Sequence, residues 1–97
     1  MGNKTAAEVI NGAYRGDAES QLELGLSLIL DGRTGGAEWV EKAANQGLAA
    51  AQNSLGVMYF NGQELVRDLT KAAEWLQKAA NQGHEEAQRN LDMLRGL

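Results

Sequence analysis

The chain carries a stretch of sequence that occurs twice, almost letter for letter. Residues 37–47 read AEWVEKAANQG and residues 73–83 read AEWLQKAANQG, with differences at two positions. A shorter pattern, G-x-x-x-[A/S]-Q-x-x-L, begins at Gly16, Gly47 and Gly83, so its copies lie 31 and 36 residues apart. Repeats with a period in this range are typical of stacked supersecondary units, each of which buries its apolar face against its neighbours.

Each unit is predicted to contain two helices. In the most complete copy, the first helix is expected over about residues 48–61, since apolar side chains recur there at helical spacing. These side chains are Ala51, Leu55, Met58 and Tyr59. Asp68 is a favourable N-cap for a second helix over about residues 69–82. We expect Trp75 on its apolar stripe, and the equivalent Trp39 in the other copy, to pack in the core.

The earlier copy is shorter in the connecting loop. Its second helix is therefore predicted to begin after Thr34 or at the Gly35–Gly36 pair. Its first helix contains LELGLSLIL at residues 22–30, where leucine alternates with other residues as it would in a strand. Because this segment aligns with the helical NSLGVMYFN of the next copy, we predict a helix here too.

Two glycines in the middle of predicted helices require a packing reason. Gly25 and Gly56 occupy equivalent positions, and a glycine there costs roughly 1 kcal/mol relative to alanine. We expect each to allow close approach of the next helix in its unit. The third copy has Asp92 at this position and a single apolar face, as expected of a helix that caps a stack.

The sequence therefore predicts one all-α repeat domain over residues 1–97, with about six helices. Its parts are an N-terminal half-repeat, a shortened repeat, a full repeat and a C-terminal capping helix. Their expected ranges are 3–15, 16–46, 47–82 and 83–97.

Composition narrows the classes of function. The formal charge is -4 and the pI about 4.9, without a basic run, which disfavours nucleic acid and anionic membranes as partners. The absence of cysteine excludes disulfides and cysteine metal sites. No apolar run approaches the roughly 20 residues of a membrane helix, and the first residues lack a signal-peptide core, so we expect no membrane insertion. The compartment stays open: cytoplasm, or periplasm if a leader has been removed.

The sequence offers few candidate residues for a catalytic site. His84 is the single histidine, without metal-ligating partners at suitable spacing, and we expect it to be exposed and structural. The i, i+4 pairs Glu38/Lys42 and Glu74/Lys78 are predicted to form solvated ion pairs rather than catalytic carboxylates. No phosphate-binding glycine motif is present. We expect no cofactor, no metal and no enzymatic activity.

Residues 49–83, AAAQNSLGVMYFNGQELVRDLTKAAEWLQKAANQG, resemble the Sel-one-like repeat, a relative of the tetratricopeptide repeat. The matching positions are Leu55, Gly56, Tyr59, Gly62, Val66, Asp68, Lys71, Ala72, Trp75, Lys78, Ala79, Ala80 and Gly83. Departures are Leu65, where the family often has glycine, and the loop deletion near Thr34. The resemblance implies a right-handed α-solenoid of antiparallel helix pairs and a role in protein interaction. The β-lactam-binding members of the family carry paired cysteines, which this chain lacks.

By analogy with tetratricopeptide-like stacks, the first helix of each pair lines a concave groove that would bind a protein or peptide. The expected groove residues are Glu19, Leu22, Leu26, Ile29, Ala50, Asn53, Val57, Phe60, Asn61, Glu86, Arg89 and Met93. Val57 and Phe60 would be the central apolar anchors. Asn53, Asn61 and Arg89 would orient the ligand through hydrogen bonds.

Two alternatives remain open on the sequence. Leu22 and Leu26 are also consistent with core packing, because the unit is short. The chain could instead be structural and form a homodimer through its terminal helices. That contact would use Val9, Ile10 and Tyr14 at one end, and Met93 and Leu97 at the other.

Overall fold

The computed structural model describes residues 4–96, and within them it contains six α-helices and no strand. The helices are α1 (Ala6–Tyr14), α2 (Ala18–Leu30), α3 (Gly36–Asn45), α4 (Ala49–Asn61), α5 (Leu69–Asn81) and α6 (Glu85–Arg95). Each packs mainly on its neighbours in the sequence, and α4 also touches α6. The predicted all-α solenoid of helix pairs is confirmed, including the helix over residues 22–30.

Side chains at the helix starts explain where several helices begin. Thr5, Asp17 and Asp68 each accept a hydrogen bond from the backbone N–H three residues later, which satisfies a donor that the helix itself leaves free. His84 does the same through Nδ1, which accepts from Ala87 N at 3.1 Å. The histidine is half-buried, and its role is to cap α6.

The core runs along the stack between the helices. Its largest fully buried apolar side chains are Val40, Leu55, Leu76 and Leu91, one each from α3, α4, α5 and α6. Burial of each such side chain contributes about 1.5–3 kcal/mol relative to exposure. Every helix from α3 onward therefore has an anchor in the core.

The mid-helix glycines lie where two helices come close together. A Cβ built on Gly25 would stand 2.7 Å from the carbonyl oxygen of Gly36, and one on Gly56 would stand 2.7 Å from Cγ of Leu76. Both distances are shorter than carbon atoms tolerate, so α3 and α5 can approach only because these residues lack a side chain. The packing reason predicted for both glycines is confirmed.

A repeated pair of glutamines links the two helices of each unit and also reaches the unit before it. Gln46 Nε2 donates to Gln21 Oε1 at 2.8 Å, and Gln82 Nε2 donates to Gln52 Oε1 at 2.9 Å. Gln21 and Gln52 are buried, and each also donates to a backbone carbonyl of the preceding unit. These bonds satisfy polar groups that would otherwise be costly to bury.

The two tryptophans are half-buried, and Trp75 packs against the core cluster of α3 and α4 as expected. Lys42 Nζ lies 5.6 Å from the ring centroid of Trp39, and Lys78 Nζ lies 5.5 Å from that of Trp75. Within residues 4–96, the ion pair found joins Lys4 to Asp17 instead. The predicted ion pairs of these lysines were therefore wrong, because the tryptophan faces attract the lysines in cation–π contacts.

Candidate functional site

Two neighbouring hollows lie along the first helices of the pairs. The α4–α6 hollow has a volume of about 260 Å³, and its lining residues are Val57, Phe60, Asn61, Leu76, Asn90, Met93 and Leu94. The α2–α4 hollow has a volume of about 440 Å³, and its lining residues are Leu26, Ile29, Leu30, Asn53, Ser54, Val57, Met58, Gln63 and Glu86. Val57 is common to both and forms the ridge between them.

The repeat itself explains why apolar side chains line this face. Leu26, Val57 and Met93 are separated by 31 and 36 residues, the same spacings as the repeat, and so occupy equivalent positions on α2, α4 and α6. Leu26 is 37% exposed and Met93 is 71% exposed, while Val57 is half-buried between them. The result is an apolar stripe that crosses three helices, in contact with solvent.

Most of the predicted groove residues line one of these hollows. They are Leu26, Ile29, Asn53, Val57, Phe60, Asn61, Glu86 and Met93. Glu19, Leu22, Ala50 and Arg89 line neither hollow. Leu22 is half-buried against the core cluster of α3 and α4, as the core alternative anticipated. Leu26, by contrast, is exposed at the hollow.

Asn53 differs from its predicted role of orienting a ligand. It is only 7% exposed, its Oδ1 accepts from Asn90 Nδ2 at 3.0 Å, and its Nδ2 donates to Glu86 Oε1 at 3.5 Å. Its amide is therefore already used within the chain. This correction makes Asn53 a link between α4 and α6 rather than a free hydrogen-bonding group.

Phe60 is held in place by a residue that the sequence did not suggest. Arg67 Nε donates to the carbonyl oxygen of Phe60 at 2.8 Å, and the guanidinium lies 5.5 Å from the centroid of its ring. The ring therefore lies between the hollow and the guanidinium of Arg67 in the α4–α5 loop. A rigid aromatic side chain costs little conformational entropy when it binds a ligand.

Several lining residues were not predicted. They are Leu30, Ser54, Met58, Gln63, Leu76, Asn90 and Leu94. The repeat offered a signal for two of them, because Ser54 and Asn90 are equivalent and directly follow the predicted Asn53 and Arg89. Leu76 is a core residue of α5 that forms the back wall, which a list restricted to the first helices excludes.

Charge is sparse around the hollows. Glu86 is the one charged residue in either lining. A separate polar cluster lies at the start of α2, where Asp17 accepts hydrogen bonds from the hydroxyl and backbone N–H of Ser20 and pairs with Lys4. The bonds from Ser20 lower the pKa of Asp17, and bonds from Thr5 likewise lower the pKa of Glu8.

Residues 4–96 contain no group of three or more acidic or histidine side chains placed to hold a metal ion. The helices in this part of the chain are all too short or too polar to cross a membrane. Of the residues expected at a dimer contact, Val9 is buried and Leu97 lies outside the described residues. Ile10, Tyr14 and Met93 are exposed, and the ring of Tyr14 packs edge-on against that of Trp39 with centroids 5.0 Å apart.

The repeats match a known family. The sequence profile of the Sel1 repeat matches residues 18–48 and 49–84, which together make up more than half of the chain. The chain belongs to the Sel1 repeat family. Sel1 repeats are generally protein–protein interaction modules, and their fold is typically a non-enzymatic scaffold. A search of curated proteins finds no match.

Two solved bacterial structures are similar to this Sel1 repeat chain. One is a protective antigen of uropathogenic Escherichia coli strains with an SLR fold, at 33% identity and a TM-score of 0.84. The alignment covers 95% of this chain but only 21% of that protein. The other is a Sel1 repeat protein from Oxalobacter formigenes, at 32% identity and a TM-score of 0.83, covering 89% of this chain and 70% of that one.

Proposed function

We propose that this chain is a non-enzymatic interaction module that binds a segment of another protein across the two hollows. The observation that carries the proposal is the stripe formed by Leu26, Val57 and Met93, three equivalent side chains that are apolar and in contact with solvent. Apolar patches on a soluble chain tend to mark interaction sites.

The composition of the hollows supports a peptide or protein segment as ligand. Apolar side chains dominate both linings, while Asn61, Gln63 and Asn90 stand among them as polar groups. An apolar centre with a few polar groups is the usual anatomy of a protein interface. Phe60, held by Arg67, is a pre-ordered aromatic anchor of the kind that carries much of the binding energy at interfaces.

The proposal is tested by selecting peptides from a random 16-residue display library on the native chain. Retention of the selected peptides is then measured on Met93→Asp and on Val57→Asp/Phe60→Asp. Met93→Asp is the sharper variant, because this side chain is largely exposed and its replacement disturbs no core contact. Val66→Asp is the matched control, since Val66 is 88% exposed, apolar, and lines neither hollow.

We expect the peptides to be lost on Met93→Asp and retained on Val66→Asp, with all variants folded by circular dichroism. Because one hot-spot residue typically contributes 2 kcal/mol or more, the loss in affinity should be at least about 30-fold. Equal retention on both variants would refute the groove as the binding site.

A further inference from the structure

We propose that the segment bound in the hollows is basic as well as apolar, and that a lysine or arginine of the partner pairs with Glu86. This inference rests on the proposed function and adds the chemistry of the partner. The starting point is that Glu86 is the one charged residue among those lining the two hollows.

The chain positions the Glu86 carboxylate through a partly buried relay of two hydrogen bonds. Asn90 Nδ2 donates to Asn53 Oδ1 at 3.0 Å, and Asn53 Nδ2 donates to Glu86 Oε1 at 3.5 Å. Asn53 is almost fully buried, whereas Glu86 is exposed. One carboxylate oxygen therefore accepts a hydrogen bond from Asn53, while the rest of the side chain remains exposed to solvent.

No basic residue of the described chain forms an ion pair with this carboxylate. The ion pair present within residues 4–96 joins Lys4 to Asp17, far from Glu86 along the stack. Arg89 follows Glu86 by three residues in α6, but the two side chains are not within ion-pair distance. Glu86 is thus an unpaired negative charge beside apolar surface. A ligand that covers the hollows would strip water from the carboxylate, which costs free energy unless the ligand brings a cation. A charge-assisted hydrogen bond from lysine or arginine meets that requirement.

The relay is specific to the junction of α4 and α6. The residues equivalent to Asn53 in the other units are Leu22 and Arg89, and neither can join two amides in this way. Glu19 occupies in α2 the position that Glu86 occupies in α6, but it lines neither hollow. The two glutamates therefore carry the same charge at equivalent helix positions, but only Glu86 lines the groove.

The hollows also set the spacing of the apolar side chains in the partner. They lie side by side on adjacent helices with Val57 between them, so their centres are separated by about one helix diameter, roughly 10 Å. The partner segment is thus expected to carry two apolar side chains about 10 Å apart, with a lysine or arginine near the one that enters the α2–α4 hollow. The net charge of -4 favours the approach of such a segment.

The test uses the peptides that are selected on the native chain and lost on Met93→Asp. These are synthesised, and their affinities are measured for the native chain, Glu86→Gln, Glu19→Gln, Glu86→Lys and Glu19→Lys. Glu86→Gln keeps an oxygen for Asn53 and removes the charge, so the relay and the fold remain. Glu19→Gln and Glu19→Lys make the same changes in net charge at the equivalent position, which lies outside the groove.

We expect the selected peptides to share two apolar positions and a lysine or arginine. Glu86→Lys should weaken binding on the order of tenfold or more, Glu86→Gln by less, and the glutamate-19 variants by under about twofold. Peptides that depend on Met93 but carry no basic residue, or equal losses at both glutamates, would overturn the charge pairing and leave the proposed function standing. If no selected peptide depended on Met93, both proposals would fail.

Discussion

The two helix pairs α2–α3 and α4–α5 reach the same packing by different local means. In α4–α5, Gly56 makes room for the side chain of Leu76, and Asp68 caps α5 from within the pair. In α2–α3, Gly25 lies against the backbone of Gly36, so the helices meet glycine to glycine. A Cβ built on Gly25 would stand 2.7 Å from the carbonyl oxygen of Gly36, and one built on Gly56 would stand 3.1 Å from that of the equivalent Ala72, so α3 approaches its partner helix more closely than α5 does.

The start of α3 shows what the shorter loop lacks. Its N-cap, Gly35, has no side chain to accept a hydrogen bond. Glu64, in the loop of the following pair, instead accepts from the backbone N–H of Ala37 at 3.1 Å. Glu64 adopts a left-handed backbone with φ of 61°, which is unusual for a residue with a side chain. A capping function lost from one repeat is thus supplied by the next, which links their stabilities.

Alanine at the two mid-helix glycines should give the largest difference between the pairs. Gly25→Ala would push a methyl group into the Gly36 carbonyl and the Val40 backbone and side chain, which cannot move without shifting α3. Gly56→Ala would meet the side chain of Leu76 and, at 3.1 Å, the carbonyl oxygen of Ala72, so its backbone contact is less severe than the 2.7 Å contact at Gly25. We expect the free energy of unfolding to fall by about 2–3 kcal/mol for Gly25→Ala and about 1 kcal/mol for Gly56→Ala.

The measurement for this first comparison is urea unfolding followed by circular dichroism. Gly96→Ala is the control, because a Cβ there would make only ordinary contacts and the backbone φ of -81° suits any residue. If Gly25→Ala were as mild as Gly96→Ala, the close glycine contact would not be what shapes the first pair.

Removal of the two caps should have an intermediate effect. Asp68→Ala and Glu64→Ala are each expected to lower the free energy of unfolding by about 1 kcal/mol, the usual contribution of a cap. The variants differ in where they act. Asp68→Ala should loosen the start of α5, while Glu64→Ala should loosen α3 in the preceding pair.

Amide hydrogen exchange distinguishes these sites. We expect faster exchange at Ala37 in Glu64→Ala and unchanged exchange there in Asp68→Ala. Glu64→Gln retains the accepting oxygen and should protect Ala37 as the native chain does. Unchanged exchange at Ala37 in Glu64→Ala would contradict the borrowed cap.

Acidification should produce the smallest difference in stability between the two helix pairs. The hydrogen bonds from Ser20 lower the pKa of Asp17 below its ordinary value. The ionised carboxylate therefore stabilises the folded state at any pH above the pKa that Asp17 has in the unfolded chain. This contribution is lost as the pH falls through the folded-state pKa, from about pH 4 downward. The N-cap of α4 is Leu48, whose side chain accepts no hydrogen bond and does not titrate, so the start of α4 has no such dependence.

The check compares thermal unfolding of the native chain and Asp17→Asn between pH 7 and pH 3. Asparagine can also cap a helix but does not titrate in this range. The native chain should lose more stability on acidification than the variant does. An identical loss in both chains would show that Asp17 does not contribute to the acid sensitivity.

The sequence predicted the fold well because the repeat ties distant positions together. Gly25 and Gly56 pointed to close helix contacts, and Asp68 to a cap, since each signal depends on local geometry. The copy at residues 49–61 also decided the ambiguous leucine segment in favour of helix. Equivalent positions indicated the apolar stripe on the first helices.

The sequence could not predict contacts for which a side chain has several possible partners. Lys42 could pair with Glu38 or cover Trp39, and only the packed structure shows the second. Asn53 looked like a free polar residue of the groove, but it is enclosed between α4 and α6. Glu64 caps α3 from the following repeat, so no local sequence motif predicts this contact.

Nuclear magnetic resonance would show whether a peptide binds in the hollows on the first helices. A peptide selected on the native chain would be titrated into the ¹⁵N-labelled protein. We expect the amide signals of Val57, Phe60 and Met93 to shift, while the indole signals of Trp39 and Trp75, which line neither hollow, stay in place. Shifts centred on the two indoles, with the hollow residues unchanged, would refute binding in the hollows.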